Sequence, residues 1–145
     1  MPTDRKYHFD IAKNLQRGDI LFCKSYKFPD GTIKNKLIVV LSNCINDKFF
    51  VCVLPTSKIA FYKNPLNQTD IIWLEAKEAK CFSLTTVIDL KHYFFIRASD
   101  IGEKLYDKTL KKAGMLPKEF IQRINDVVIN AKTLNVKIKN LILTS

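Results

Sequence analysis

The chain has 145 residues, 47% of them hydrophobic, and a formal net charge of +10 at pH 7. This size and composition predict one folded domain with a hydrophobic core and exclude a disordered tail. No apolar run approaches the roughly 20 residues of a membrane-spanning helix, and the N-terminus MPTDRKYHFD lacks the apolar middle of a secretion signal. We therefore expect a cytoplasmic protein with no membrane partner. The positive charge favours a nucleic acid as partner over a lysine-rich surface without a binding role.

The cysteines and histidines show no metal-binding spacing. The four cysteines include no CxxC pair, and the two histidines, His8 and His92, stand alone. We expect reduced thiols, mostly buried, and no metal. His92 lies in the run KHYFFI, which predicts a packed strand residue rather than a catalytic base. The cysteines are Cys23, Cys44, Cys52 and Cys81.

The first quarter of the chain predicts an arm, a strand and a basic hairpin. Residues 1–17 are polar with scattered apolar positions and predict an N-terminal arm or one short helix. Arg17-Gly18-Asp19 predicts a turn before a strand that begins at Ile20. The segment Lys24–Lys36, KSYKFPDGTIKNK, carries lysines and two aromatic residues around a tight turn at Pro29-Asp30-Gly31. It is either an ordinary solvated hairpin or a surface for single-stranded nucleic acid, on which lysines contact phosphates and rings stack on bases.

The most apolar stretch, Lys36–Ser57, predicts two core strands. Its runs Leu37–Leu41 and Phe49–Leu54 are separated by polar turn residues. Because each run is apolar on both faces, we expect both strands inside the core. Pro55 has no N–H for a strand ladder, so the hydroxyls of Thr56 and Ser57 should lie just past the strand end.

The rest of the chain predicts shorter strands followed by helices. The clearest helix follows Leu116 and carries an apolar stripe to Leu134, typical of a core or dimer surface. An earlier helical pattern begins at Ser99 and ends at Gly114. The tail after Val136 alternates and predicts an edge strand or a frayed end. The further predicted strands are Thr69–Leu74 and Cys81–Leu90, with His92–Ile96 as another strand or the continuation of the second.

The order of these elements predicts the architecture. Five or six short strands followed by helices indicate an α+β fold, mainly β, built as a small β-barrel with appended helices. We expect a single domain over residues 1–145. The barrel would occupy residues 18–97, the helical region 99–134 and the tail 135–145.

Three short motifs occur along the predicted strands: Arg17-Gly18-Asp19-Ile20, Val39-Val40-Leu41-Ser42 and Val53-Leu54-Pro55-Thr56-Ser57. In order and spacing they resemble the PemK/MazF-like toxins, the endoribonucleases of bacterial toxin–antitoxin modules. Weaker matches lie at Val87-Ile88-Asp89-Leu90 and at the Leu-Pro-Lys-Glu that begins at Leu116. The resemblance spans roughly residues 17 to 134. It implies an SH3-like β-barrel with a C-terminal helix, usually a homodimer. It also implies cleavage of single-stranded RNA without a metal or other cofactor, and an acidic antitoxin-like protein as partner.

The resemblance places a catalytic site at Lys36, Thr56 and Ser57. Lys36 stands where the family has an arginine, and the other two match its hydroxyl positions. Lysine is a point charge where arginine is a bidentate fork, and no carboxylate of Cys81–Thr86 falls in register with the family's acidic residue. The alternative is a non-catalytic SH3-like module that binds nucleic acid or protein. The residues that we expect to contact nucleic acid are Lys24, Tyr26, Lys27, Phe28, Lys34 and Lys58.

Overall fold

The computed structural model describes residues 10, 12–76 and 82–144, and these form an α+β fold built mainly of antiparallel strands. This confirms the fold class predicted from the sequence. The strands are β1 (Asp19–Lys27), β2 (Ile33–Val40), β3 (Phe49–Val53), β4 (Ile71–Leu74), β5 (Thr86–Asp89), β6 (Phe94–Arg97) and β7 (Leu110–Met115). The α-helices are α1 (Ala98–Tyr106), α2 (Lys118–Ile129) and α3 (Val136–Thr144). In these ranges no helix combines the length and the apolar character needed to cross a lipid bilayer.

The strands form two antiparallel sheets. Five strands pair in the order β6-β3-β2-β1-β7, and β4 pairs with β5. An isolated bridge between Thr56 and Val87 connects the end of β3 to the second sheet. Among the described residues the strand ladders do not close into a ring, so the SH3-like barrel stays a prediction.

The two core strands predicted from the sequence lie in the middle of the larger sheet. Val39 and Val53 face one hydrophobic cluster, which also takes in the buried stripes of α2 and α3. Val40 and Cys52 face a second cluster on the other side, which α1 helps to cover. Both faces are therefore buried, as the apolar runs predicted.

The segment after α1 is a strand and not the end of a helix, so the predicted helical region 99–134 is wrong in its middle. Helix α1 ends at Tyr106, and Lys108 adopts φ 67°, which reverses the chain. Leu110–Met115 then pairs antiparallel with β1. Two factors decide this conformation. Leu110 is buried in the strand. Pairing also gives hydrogen-bond partners to the backbone N–H and C=O groups at the edge of β1 and to those of Leu110–Met115.

The tail is also different from the prediction. Residues 136–144, which begin with alternating apolar and polar side chains, form helix α3, and neither an edge strand nor a frayed end is present there. The Asn135 side chain accepts a hydrogen bond from the Ile138 backbone N–H at 2.9 Å, which caps the helix at its N-terminus. Ile138 and Ile142, four residues apart, are buried against the core. On a strand Asn140 would share the buried face with Ile138 and Ile142, whereas the helix buries both isoleucines and leaves Asn140 exposed.

The turns follow their predicted chemistry. Gly31 has φ 89° at the hairpin tip, and Asn46 and Asp47 have positive φ between β2 and β3. Gly18 has φ 93° immediately before β1. Its positive φ favours glycine, and a Cβ atom there would lie 2.6 Å from Cδ1 of Ile121, so any other residue would also have to displace this side chain.

Several predictions concern residues only partly described. The predicted N-terminal arm falls largely outside the described residues, as do His8 and Cys81. The strand predicted over Cys81–Leu90 is observed as the shorter β5. His92 belongs to a 3-10 turn and not to a strand, and its side chain is 73% exposed, so the expectation of a packed strand residue is wrong.

Candidate functional site

A groove of about 360 Å³ lies between the β1–β2 hairpin and the segment that follows β3. We call it the cationic groove, because three lysines and a single aspartate line it. The tip of the hairpin, strand β2 and the loop after Pro55 therefore converge at one place, although the sequence separates their residues by up to thirty positions. The described lining residues are Phe28, Asp30, Thr32, Lys34, Asn35, Lys36, Thr56, Ser57 and Lys58.

Lys36 occupies the centre of this arrangement. It lies on β2, is half-buried, and its Nζ donates a hydrogen bond to the carbonyl oxygen of Pro55 at 3.0 Å. Burial lowers the pKa of Lys36, and the nearby charges of Lys58 and Lys34 lower it further. An ammonium group has three protons, so Lys36 can still donate to an incoming ligand. The mutual repulsion of these three cations would be relieved by an anion in the groove.

Thr56 is held by the second sheet rather than by its own loop. Its backbone N–H donates to the Val87 carbonyl at 3.0 Å, and its carbonyl accepts from the Val87 N–H at 2.8 Å. The Thr56 hydroxyl oxygen accepts from the Lys58 backbone N–H at 3.1 Å. These bonds fix Thr56 just past the end of β3, where the sequence placed it, and Ser57 follows with an exposed side chain.

The structure brings together six of the nine residues predicted for the site. The three candidate catalytic residues line the cationic groove, and so do Phe28, Lys34 and Lys58. Three residues lie outside it. Lys24 and Lys27 are exposed on β1, and the Lys24 backbone N–H is engaged by the Thr109 carbonyl.

Tyr26 faces away from the groove. It packs against the core cluster that α1 covers and lines a separate depression with residues of β6 and α1. Its ring nevertheless contacts the Phe28 ring edge-on, with the centroids 5.0 Å apart. Tyr26 can therefore support Phe28, but it cannot stack on a base bound in the cationic groove.

A second cavity, which sequence analysis missed, adjoins the groove. We call it the aromatic cavity; it has a volume of about 270 Å³ and shares Asn35, Lys36 and Ser57 with the groove. Phe22 could have been noticed from the alternation of β1, because its neighbours Leu21 and Cys23 face the opposite cluster. Four further lining residues lie between positions 82 and 86, in a segment that no local pattern connects to β1. The other described lining residues are Phe22, Leu37, Pro55, Phe82, Ser83, Leu84 and Thr86.

The buried carboxylate of Asp89 belongs to a separate, structural network. It accepts hydrogen bonds from the Tyr62 hydroxyl at 2.8 Å and the Lys91 backbone N–H at 3.0 Å, and it pairs with the Lys91 ammonium group. Burial, and next the bond to Asp89, raises the pKa of Tyr62 to about 12. The exposed ring of His92 lies 3.5 Å from the same carboxylate. These groups stabilise the second sheet, and they do not line the cationic groove.

The described thiols are free. Cys23 and Cys52 are buried and Cys44 is half-buried, as the sequence predicted. Burial raises the pKa of Cys52 to about 12, so its thiol is unreactive at neutral pH. Across residues 10, 12–76 and 82–144, no three histidine, cysteine or acidic side chains are grouped as a metal site.

No protein-family model matches the sequence. No curated protein is significantly similar to it.

Proposed function

We propose that the chain binds single-stranded RNA in the cationic groove and cleaves it as a metal-independent endoribonuclease of the PemK/MazF-like toxin type. The observation that carries this proposal is the convergence of Lys34, Lys36 and Lys58 with Thr56 and Ser57 in one groove. Three cations favour a phosphodiester, and Phe28 at the same groove offers a ring on which a base can stack.

The proposed reaction uses the 2′-hydroxyl of the RNA itself. The 2′-hydroxyl passes its proton to a water molecule as the 2′-oxygen attacks phosphorus, and the bond from phosphorus to the 5′-oxygen breaks. The products are a 2′,3′-cyclic phosphate and a 5′-hydroxyl, whose oxygen takes up a proton. Lys36 would stabilise the negative charge that builds on the non-bridging oxygens, and the hydroxyls of Thr56 and Ser57 would donate hydrogen bonds to them.

A non-catalytic RNA-binding module is the second candidate, because the groove has no evident general base. The described lining residues include no histidine, and their one carboxylate, Asp30, accepts hydrogen bonds from the Thr32 backbone and hydroxyl groups. These bonds lower the pKa of Asp30, which makes it a weaker base. Binding without cleavage is the outcome that this candidate predicts.

One experiment separates the two candidates. The protein is incubated with a long unstructured RNA in the presence of a metal chelator, and the ends of any fragments are mapped. We expect fragments with 5′-hydroxyl ends, at a rate at least about tenfold lower in the Lys36→Ala/Thr56→Ala double variant, which corresponds to about 1.4 kcal/mol. A Lys137→Ala variant, altered at an exposed lysine of α3, serves as the control. Equal cleavage by the double variant and the control, or none by any protein, would reject catalysis at this groove.

The same proposal includes the wider architecture implied by the family. The two sheets would form an SH3-like barrel, two copies would form a homodimer, and an acidic antitoxin-like protein would occupy the cationic groove in place of RNA. Light scattering tests the dimer, and a monomer at high concentration would refute it. Competition between an acidic peptide and RNA for the wild-type protein tests whether the two ligands share the groove. Lys58→Ala should then weaken the binding of both ligands.

A further inference from the structure

Strand β6 lies at one edge of the larger sheet, and β3 is its one neighbour in the described part of the chain. In an antiparallel ladder the backbone N–H and C=O groups of alternate residues point to the neighbouring strand, and those of the residues between them point away. The bond of 2.8 Å from the Ala98 N–H to the Lys48 carbonyl oxygen fixes the phase of this alternation. Phe94 and Ile96 therefore direct their backbone groups toward β3.

The outward backbone groups of β6 belong to Phe95 and Arg97. Phe95 presents an N–H and a C=O, and Arg97 presents an N–H, because its own C=O lies at the start of α1 and serves that helix. These groups have no hydrogen-bond partner within residues 10, 12–76 and 82–144. Phe95 is 50% exposed and Arg97 is also exposed. A further strand can therefore reach this edge and pair with it.

A groove of about 570 Å³ runs along the same edge. We call it the edge groove; it lies between Tyr26, Phe94 and Ile96 on one side and the exposed face of α1 on the other. Among the described residues, none that lines the edge groove also lines the cationic groove. A ligand of the edge groove would therefore not compete directly with RNA.

The wall that α1 forms is acidic, although the chain has a net charge of +10. Asp100 and Glu103 lie about one helical turn apart, are exposed, and belong to no ion pair of the described residues. Asp107, one turn further on, accepts a hydrogen bond from the Thr109 N–H at 2.8 Å. Lys104 is the one cation that α1 contributes to the described lining. Three carboxylates against one ammonium group favour a cationic partner at this wall.

The opposite face of β6 is apolar at its centre. Phe95 alternates with the two residues that form the groove wall, so its ring projects to the other face of the sheet. There it contacts the Phe49 and Tyr93 rings edge-on, with centroids 5.1 and 5.8 Å away. Arg97 shares this face by the same alternation, which directs its side chain away from the acidic wall. A side chain placed beside Phe95 by an added strand would therefore be apolar.

We propose that β6 is a docking edge for an extended segment of a partner protein, in which basic residues alternate with apolar ones. The segment adds antiparallel to β6, as the other strands of this sheet pair. Directly opposed residues of an antiparallel pair have their side chains on the same face. The apolar residues therefore lie opposite Phe95 and Arg97 and bond to their backbone groups. The basic residues between them project into the edge groove, with their stems on Phe94 and Ile96 and their charged ends at the acidic wall.

A synthetic peptide tests the docking edge on the whole protein. The probe has blocked ends and about seven residues, an ordinary strand length, in which valine alternates with lysine. Backbone hydrogen exchange is measured by NMR. At a free peptide concentration about ten times Kd, exchange at the Phe95 and Arg97 N–H groups should slow about tenfold, because they exchange only in the unbound protein. The N–H groups of Phe94 and Ile96, already bonded to β3, serve as internal controls.

Two results of this measurement would overturn the proposal. The first is a peptide that fails to bind, or that binds and leaves the Phe95 and Arg97 N–H groups unprotected. The second is protection of these two groups without peptide that increases with protein concentration, since a second copy of the chain would then occupy the edge.

Methylated peptides test the pairing itself. A peptide with N-methyl groups on its valines has lost the donors that point to β6, and we expect it not to bind. A peptide with N-methyl groups on its lysines has lost only donors that point away, and it should keep its affinity. Equal binding by the two peptides would overturn strand addition. Loss of affinity confined to the lysine-methylated peptide would overturn the antiparallel arrangement.

Charge variants test the acidic wall. The Asp100→Asn/Glu103→Gln double variant should bind the valine–lysine peptide about fivefold more weakly, the effect of two exposed ion pairs. The Glu119→Gln/Asp126→Asn double variant has the same change in net charge at exposed positions of α2 and should bind like the wild type. Equal affinity of the two double variants would overturn the selection of a basic segment.

Discussion

Replacing Lys58 by alanine tests the cationic groove with little risk to the fold. Its side chain is exposed, and the hydrogen bond to Thr56 comes from its backbone N–H, which the variant keeps. We expect the variant to bind single-stranded RNA more weakly, and above all with a smaller dependence on salt. The reason is that each lysine that contacts a phosphate releases counterions from the RNA on binding.

The magnitude follows from the number of lysines in the groove. Three lysines line it, and each contact changes the slope of log K against log salt by about −0.7 for a single strand, which gives about −2.1. Affinity should then fall about eighteenfold between 50 and 200 mM salt for the wild type, but about sevenfold for Lys58→Ala, which keeps two contacts.

Fluorescence anisotropy of a labelled, 2′-O-methyl oligonucleotide at several salt concentrations measures both slopes. Lys137→Ala has the same change in net charge but alters a lysine of α3 away from the groove. If both variants lower the slope equally, binding depends on the overall charge of +10 and not on the groove. A wild-type slope near zero would contradict nucleic-acid binding altogether.

Three further predictions concern stability, each measured by urea unfolding. Gly31→Ala should lower the free energy of unfolding through backbone strain alone, by about 1–2 kcal/mol. Gly18→Ala should lower it by more, because only at Gly18 would the new Cβ also meet another side chain within 3 Å. Equal losses would contradict this reasoning. Tyr62→Phe should cost about 1.5–3 kcal/mol, since it removes the hydroxyl that donates to the buried carboxylate at the end of β5, and no loss would exclude that role. Burial tends to raise the pKa of Asp70, but hydrogen bonds from Thr133 and its backbone neighbour outweigh this and lower it. The ionised carboxylate therefore stabilises the fold at pH values above its ordinary pKa, and this contribution is lost as the pH falls through the lower pKa of the folded state. Asp70→Asn should therefore reduce the loss of stability below about pH 4. An unchanged dependence of stability on acid pH would contradict this prediction.

The local sequence pattern predicted the structure correctly where one strong signal was not opposed by another. The runs in β2 and β3 are apolar on both faces, and only a central strand with cover on each side buries such a sequence. Pro55 ends the second apolar run, and its position in the sequence is enough to predict that Thr56 and Ser57 lie at a rim just past β3. The convergence of Lys36 with these hydroxyls was expected from family resemblance, and it is observed as a shared groove.

Pattern failed where partners distant in sequence decided the conformation. The segment Leu110–Met115 has no clear period, and it becomes a strand because β1 offers an unpaired edge. The alternation after Val136 favours a strand, but a strand would bury Asn140 together with Ile138 and Ile142, and the helix buries the two isoleucines without it.

Composition and apolar runs are local properties that survive any topology, so they are enough to predict a basic α+β chain with two core strands and a hydroxyl-bearing rim. The groups that face this rim depend on how the chain folds. The tertiary structure separated Tyr26 from the lysines, and it placed Phe82 and Thr86 beside Asn35. The physical reason is that a side chain acquires a defined chemical role from its hydrogen-bond partners. The partner of Asn35 is a backbone N–H ten residues away, turned toward it by a bulge that no sequence pattern announces.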